Sequence, residues 1–91
     1  MIIKLINLIN LKDKMKLGLY RHYKGNYYLV KAIATHTENA EKVVVYQSLY
    51  GDFGNWVRPQ TMFTETVDYQ GQLVDRFTFI SNPNENPPTF N

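Results

Sequence analysis

Two histidines, His22 and His36, are the side chains of this sequence that ordinarily titrate near neutral pH, so any acid–base step would draw on one of them. A metal site would need both, together with a carboxylate such as Glu38 or Asp52. Neither H-x-x-H nor H-E-x-x-H occurs, and His36-Thr37-Glu38 by itself does not specify a metal. The chain has no cysteine, which rules out disulfides, thiolate ligation and a cysteine nucleophile. Ser48 and Ser81 lack the G-x-S-x-G setting of an activated serine, and neither a P-loop nor a dinucleotide fingerprint is present. Structural or surface roles are therefore expected for both histidines, with no metal and no cofactor.

The segment richest in recognition chemistry is Leu49-Tyr50-Gly51-Asp52-Phe53-Gly54-Asn55-Trp56-Val57-Arg58. It sets three aromatics, a carboxylate and a guanidinium around a turn with two glycines. Flat rings offer stacking faces, and an arginine fork matches a carboxylate or phosphate. Arg21 and His22, beside Tyr23, add a second cationic group at a strand end. The candidate ligand-binding residues are thus Arg21, His22, Tyr50, Asp52, Trp56 and Arg58. A plainer reading puts Trp56 and Tyr50 in the core, with Arg58 paired to Asp52 or Glu65 as a brace and Arg21 and His22 as solvated strand residues.

These residues must be positioned by strands. Gly25-Asn26 between aromatic runs at 20–23 and 27–30 predicts a hairpin. Alternation places Tyr28, Val30 and Ala32 on one face of the second strand, with Leu29 and Lys31 opposite. Residues 37–42 are polar and read as a loop, and 43–46 as a β-branched strand. The turn at 51–55 leads into an extended stretch at 56–58. Pro59 ends that stretch and starts a helical turn through Met62. Residues 63–67 and 73–79 are two further strands joined across Gln70-Gly71. Short strands at close spacing, without a long helical pattern, predict a small antiparallel barrel, whose closure removes exposed sheet edges.

Two terminal segments fall outside this pattern. Residues 2–11 read IIKLINLINL, with Lys4, Asn7 and Asn10 on one side of a helix and a broad apolar face opposite. The run is too short to span a membrane, and it lacks the charged start and cleavage site of a secretory signal. It reads as a helix docked on the domain or on a partner chain, as a membrane-surface anchor, or as sequence upstream of a true start at Met15. In that last case the codons for 11–14 would resemble a ribosome-binding site. Residues 81–91 hold three of the four prolines and read as a mobile tail. The domain organisation is therefore 1–14 leader, 15–80 barrel, 81–91 tail.

The formal net charge of +2 divides as +2 over residues 1–14, +1 over 15–80 and −1 over 81–91. The folded part is almost neutral, and general nucleic-acid binding lacks the surplus of lysine and arginine it needs. Small extracellular domains usually depend on disulfides, so a cysteine-free chain points to the cytoplasm.

Several stretches are shared with one family. Tyr20-Arg21-His22-Tyr23-Lys24-Gly25, Tyr28, Val30, His36, Val44-Val45-Tyr46, Leu49-Tyr50-Gly51-Asp52, Trp56-Val57-Arg58-Pro59, Met62-Phe63, Glu65 and Arg76-Phe77 resemble the small bacterial proteins grouped as domain of unknown function 1653. The resemblance covers essentially all of the middle segment. It implies an SH3-like barrel of about five strands and no particular activity.

Three functional classes remain from the sequence. The first is a cytoplasmic binding module that holds an unknown ligand, a peptide, a protein partner or a nucleic acid on the aromatic and arginine loop and a barrel face. The second is a structural or homo-oligomeric accessory protein. The third is a small hydrolase-like enzyme using His22 or His36.

Overall fold

The computed structural model describes residues 15–82, and both the leader helix and the tail expected from the sequence lie outside them. The first hairpin forms where the glycine demands it. Strand β1 (Gly18–His22) turns through Gly25, at φ 113°, into the antiparallel β2 (Tyr27–Thr35). His22 N–H donates to the Asn26 carbonyl at 2.8 Å, and Gly25 N–H to the His22 carbonyl at 2.7 Å. Only glycine enters that φ region without a Cβ penalty.

Strand β2 pairs with β3 (Lys42–Ser48), β3 pairs with β4 (Asn55–Pro59), and β1 pairs on its other side with β7 (Phe77–Ser81). The sheet is antiparallel, ordered β4-β3-β2-β1-β7. Between β4 and β7 the chain makes a one-turn helix α1 (Gln60–Phe63), entered directly from Pro59, and a separate hairpin of β5 (Thr66–Tyr69) and β6 (Gln72–Asp75).

The fold is mainly β as expected, but the barrel of about five strands is not what forms. There are seven strands among the described residues, in two sheets, and β4 and β7 remain edges of the larger one. Two local departures explain the difference. Phe63, expected to open a strand, ends α1 and plunges into the core with 1% exposure. The single strand expected at 73–79 breaks at Arg76. There the backbone N–H donates to the Glu65 carbonyl at 3.1 Å, and the carbonyl accepts from Tyr23 N–H at 3.0 Å. Residues before the break pair with β5, and those after it pair with β1, so the chain that would close a barrel makes a private hairpin instead.

The alternation expected in β2 also fails at one point. Val30 lies opposite Tyr46 and Ala32 opposite Val45, which leaves Lys31 as an extra residue. This bulge puts Lys31 and Ala32 both in solvent and turns Ile33, rather than Ala32, toward the core.

The core is built from Tyr20, Val30, Val44, Tyr46, Phe63 and Phe77, with Met15, Tyr28, Ile33 and Phe79 packed against it. Its centre is a parallel stack of Phe63 on Phe77, centroids 3.9 Å apart. Tyr20 and Tyr46 meet the Phe63 ring edge-on at 5.4 and 5.3 Å. Such edge contacts add stabilisation beyond the area buried. Gly18 is required where β7 crosses: a Cβ there would lie 2.5 Å from the Ser81 carbonyl oxygen. No helix among the described residues is long and apolar enough to cross a membrane.

Candidate functional site

Register decides which side chains share the core-bearing, inner face of the sheet. Tyr46 is opposite Trp56 and Val44 opposite Arg58, so Trp56 and Arg58 stand on that face. Tyr28, opposite both Tyr20 and Ser48, joins them, as does His22, opposite Phe77. One end of the face is filled by α1 through Phe63. At the other end large side chains stay accessible: Trp56 is 56% exposed and Tyr50 44%.

Contacts tie these residues into one cluster. Arg58 Nε–H donates to the Tyr46 hydroxyl at 3.3 Å. The Tyr46 ring lies edge-on to Tyr28 at 5.6 Å, and the Tyr28 and Tyr50 hydroxyls share a hydrogen bond of 2.7 Å. Phe77 backs both Tyr28 and Tyr46, at 5.5 and 5.8 Å. His22 stacks on Tyr23 at 4.5 Å and meets Phe77 edge-on at 4.9 Å. The Trp56 indole N–H reaches Ser48 Oγ at 3.4 Å, a long bond that orients the ring without holding it tightly. Ser48 is itself buried, and its backbone N–H donates to the Gly54 carbonyl at 3.0 Å, tying the loop to the sheet. Within that loop Phe53 sits exposed at φ 56°, left-handed backbone that is rare for a bulky side chain.

The electrostatics are donor-rich. Partial burial pushes the His22 pKa down, and the charges of Arg76, Lys24 and Arg58 push it further, so the imidazole is neutral at neutral pH. Its Nδ1 accepts the Lys24 backbone N–H at 3.1 Å, which leaves the proton on Nε2. Burial, then the hydrogen bond shared with Tyr50, pushes the Tyr28 hydroxyl up to about 12, so it stays protonated. Two hydroxyls that share one bond use one proton between them, and the other remains to donate. The Tyr46 oxygen accepts from Arg58, which leaves its O–H free to donate. Arg58 makes no ion pair among the described residues; the carboxylate of Glu65 is bonded instead to Arg76 at 2.7 Å. Arg76 also carries a buried Nε with no hydrogen-bond partner among the described residues.

Of the candidate residues, the structure gathers His22, Tyr50, Trp56 and Arg58 into this cluster. Arg21 points from the opposite face of β1, being exposed and paired with Tyr27 and Thr78, and Asp52 lies exposed in the 51–52 turn. The core-and-brace alternative does not match what is found: Trp56 and Tyr50 are exposed, and neither Asp52 nor Glu65 meets Arg58. Sequence reasoning missed Tyr28, Tyr46 and Arg76 as members. The signal for the first two was there, because alternation with the apolar Val30 and Val44 sets both tyrosines on the inner face.

The two histidines cannot meet. His22 ends β1 beside the first turn, and His36 follows the far end of β2, roughly 30 Å away along a nine-residue strand. Each imidazole Nδ1 accepts a backbone N–H two residues on, so both brace their own turns. Among the described residues no group of three or more His, Asp or Glu stands together to hold a metal.

The cluster and its supporting strands lie within the part of the chain that is shared with known proteins. A crystal structure of a DUF1653 protein from Bordetella bronchiseptica is similar at 37% identity, with a TM-score of 0.70, over 78% of this chain and 92% of that one. No curated protein matches the sequence. Residues 18–79, from the first residue of β1 into β7, match the family described as a protein of unknown function, DUF1653. The chain belongs to the DUF1653 family.

Proposed function

We propose that this protein is a small binding module, cytoplasmic and bacterial, that holds a compact anionic ligand at the open end of the inner face. The observation that carries the reading is Arg58. Its Nε–H is directed at the Tyr46 hydroxyl by a long bond of 3.3 Å, which orients the guanidinium without holding it tightly, while no carboxylate neutralises it among the described residues. A half-buried, oriented and uncompensated guanidinium beside phenolic donors is a poor structural brace and a good anion fork. Tyr46 and the one proton left over from the Tyr28–Tyr50 pair supply further donors, Trp56 walls one side, and His22 adds a neutral N–H. The near-neutral folded domain favours a small ligand over a polyanion gripped along its length.

Thermal melting and calorimetry with inorganic phosphate test this. Phosphate should raise the melting midpoint of the native protein, and Arg58→Ala should lose that response while melting cooperatively within a few degrees of the native chain. Unfolding of Arg58→Ala with normal folding of Arg58→Lys would make Arg58 a brace. A native protein indifferent to phosphate would remove the anion site.

A further inference from the structure

We infer that the ligand is a mononucleotide, its base lying on Trp56 and its phosphate in the Arg58 fork; this rests on the anion site just proposed and specifies what that site holds. Trp56 is a large aromatic at 56% exposure on the very face that carries the core. Folding ordinarily covers such a ring, and here nothing among the described residues does. Its indole N–H is engaged by Ser48, so its remaining recognition capacity is its π-face. Gly54 borders the indole, where a Cβ would meet it at 3.7–3.8 Å, an ordinary van der Waals contact.

Trp56 and Arg58 alternate along β4 on one face, so their Cα atoms are about 6.6 Å apart. A single sugar bridges that spacing between a stacked base and a phosphate. The hydroxyl donors beside Arg58 come from different elements: that of Tyr46 on β3, which Arg58 contacts, and the one proton left over from the Tyr28–Tyr50 pair, whose Tyr28 ring on β2 lies edge-on to Tyr46. Donors arriving from several directions suit a tetrahedral phosphate better than a planar carboxylate, which asks for coplanar ones. The absence of a basic surplus over residues 15–80 argues for a free nucleotide rather than a polymer, whose phosphates would each need neutralising.

Trp56 is the sole tryptophan of the sequence, so its fluorescence reports this surface alone. The full chain is titrated with adenosine, guanosine, cytidine and uridine 5′-monophosphates, with inorganic phosphate, with adenosine, and with a short single-stranded oligonucleotide. At least one monophosphate should quench Trp56 saturably and bind roughly ten-fold or more tighter than phosphate, the kind of gain that base–aromatic stacking brings. By calorimetry, Trp56→Ala should reduce that affinity to the level of phosphate, whereas Trp56→Phe retains most of the gain. If phosphate binds through Arg58 but no monophosphate binds better, the anion site stands and the nucleotide assignment is overturned. If phosphate, monophosphates and oligonucleotide all fail to bind, both are overturned. Tighter binding of the oligonucleotide than of any monophosphate, with a steep salt dependence, would also overturn it in favour of a single strand.

Discussion

The imidazole of His22 lies against Tyr23 and Phe77 and is ringed by positive charge from Arg76, Lys24 and Arg58, with Tyr28 tilted toward it at 6.3 Å. Protonating it would place a further cation, partly desolvated, among like charges. Its folded pKa therefore lies below the unfolded value of about 6.5. A group depressed in this way contributes stability that is fully present above its unfolded pKa and is lost as pH falls toward its folded one. The melting midpoint should drop by a few degrees between about pH 7 and about pH 5, and the drop should be smaller in His22→Gln. The difference between the two profiles isolates His22 from carboxylates that titrate lower. Coincident profiles would show that the imidazole is not held neutral. The same depression keeps His22 from adding a charge beside Arg58 at neutral pH, so the site's affinity for an anion should rise as His22 protonates.

At the scale of elements, the bulge in β2 governs how the middle of the sheet is aligned. Lys31 is the extra residue, with Val30 opposite Tyr46 and Ile33 opposite Val44. Removing Lys31 would leave Val30, Ala32 and Ile33 in strict alternation: inward, outward, inward. Every inner side chain would keep its face, and the pairs beyond the bulge would keep their partners. Deleting Lys31 is therefore expected to preserve a cooperative melt, losing the Lys31 Nζ bond to Asn55 and some local twist. Deleting Val45 in the facing strand has the opposite consequence, because it turns either Val44 or Tyr46 to solvent and a one-residue slip flips a whole face. That variant should lose its cooperative transition. Circular dichroism melts of the two deletions side by side decide the matter; equal damage would mean that the bulge itself, rather than facial alternation, is what the sheet requires.

For the whole molecule, the question is how much chain the fold needs. Met15 packs against the core, and Ser81 pairs with Leu19, so the structured unit runs slightly past the 80 expected from sequence. A chain of residues 15–82 should melt cooperatively with a midpoint within a few degrees of the full protein's. Aggregation, or a broad non-cooperative melt while the full chain melts sharply, would show that the apolar segment 2–11 completes the core. A domain this small buries only about 60% of the surface its unfolded chain exposes, so it has little stability to spare for such a loss. The test is correspondingly sensitive.

Local chemistry was legible in the sequence wherever one residue type dictates one conformation. Gly25 specified the β1–β2 hairpin, Gln70-Gly71 the β5–β6 hairpin, and Pro59 the end of β4 and the start of α1. The concentration of rings and guanidinium at 49–58 was equally plain in the sequence, and the structure leaves Tyr50, Phe53 and Trp56 of that stretch exposed. What the tertiary structure decided was membership. Arg21 and His22 are neighbours in sequence but lie on opposite faces of β1, since strand side chains alternate, and only the pairing of β1 with β2 and β7 tells which face is inward. Tyr28 and Tyr46, 18 residues apart in the chain, meet near Arg58 only because the bulge at Lys31 and the register of β3 on β2 bring them there. Closure of the sheet was likewise a long-range matter. Arg76 could continue a strand by composition, yet its backbone is claimed by Glu65 and Tyr23, and that competition leaves β4 and its Trp56 at an open edge.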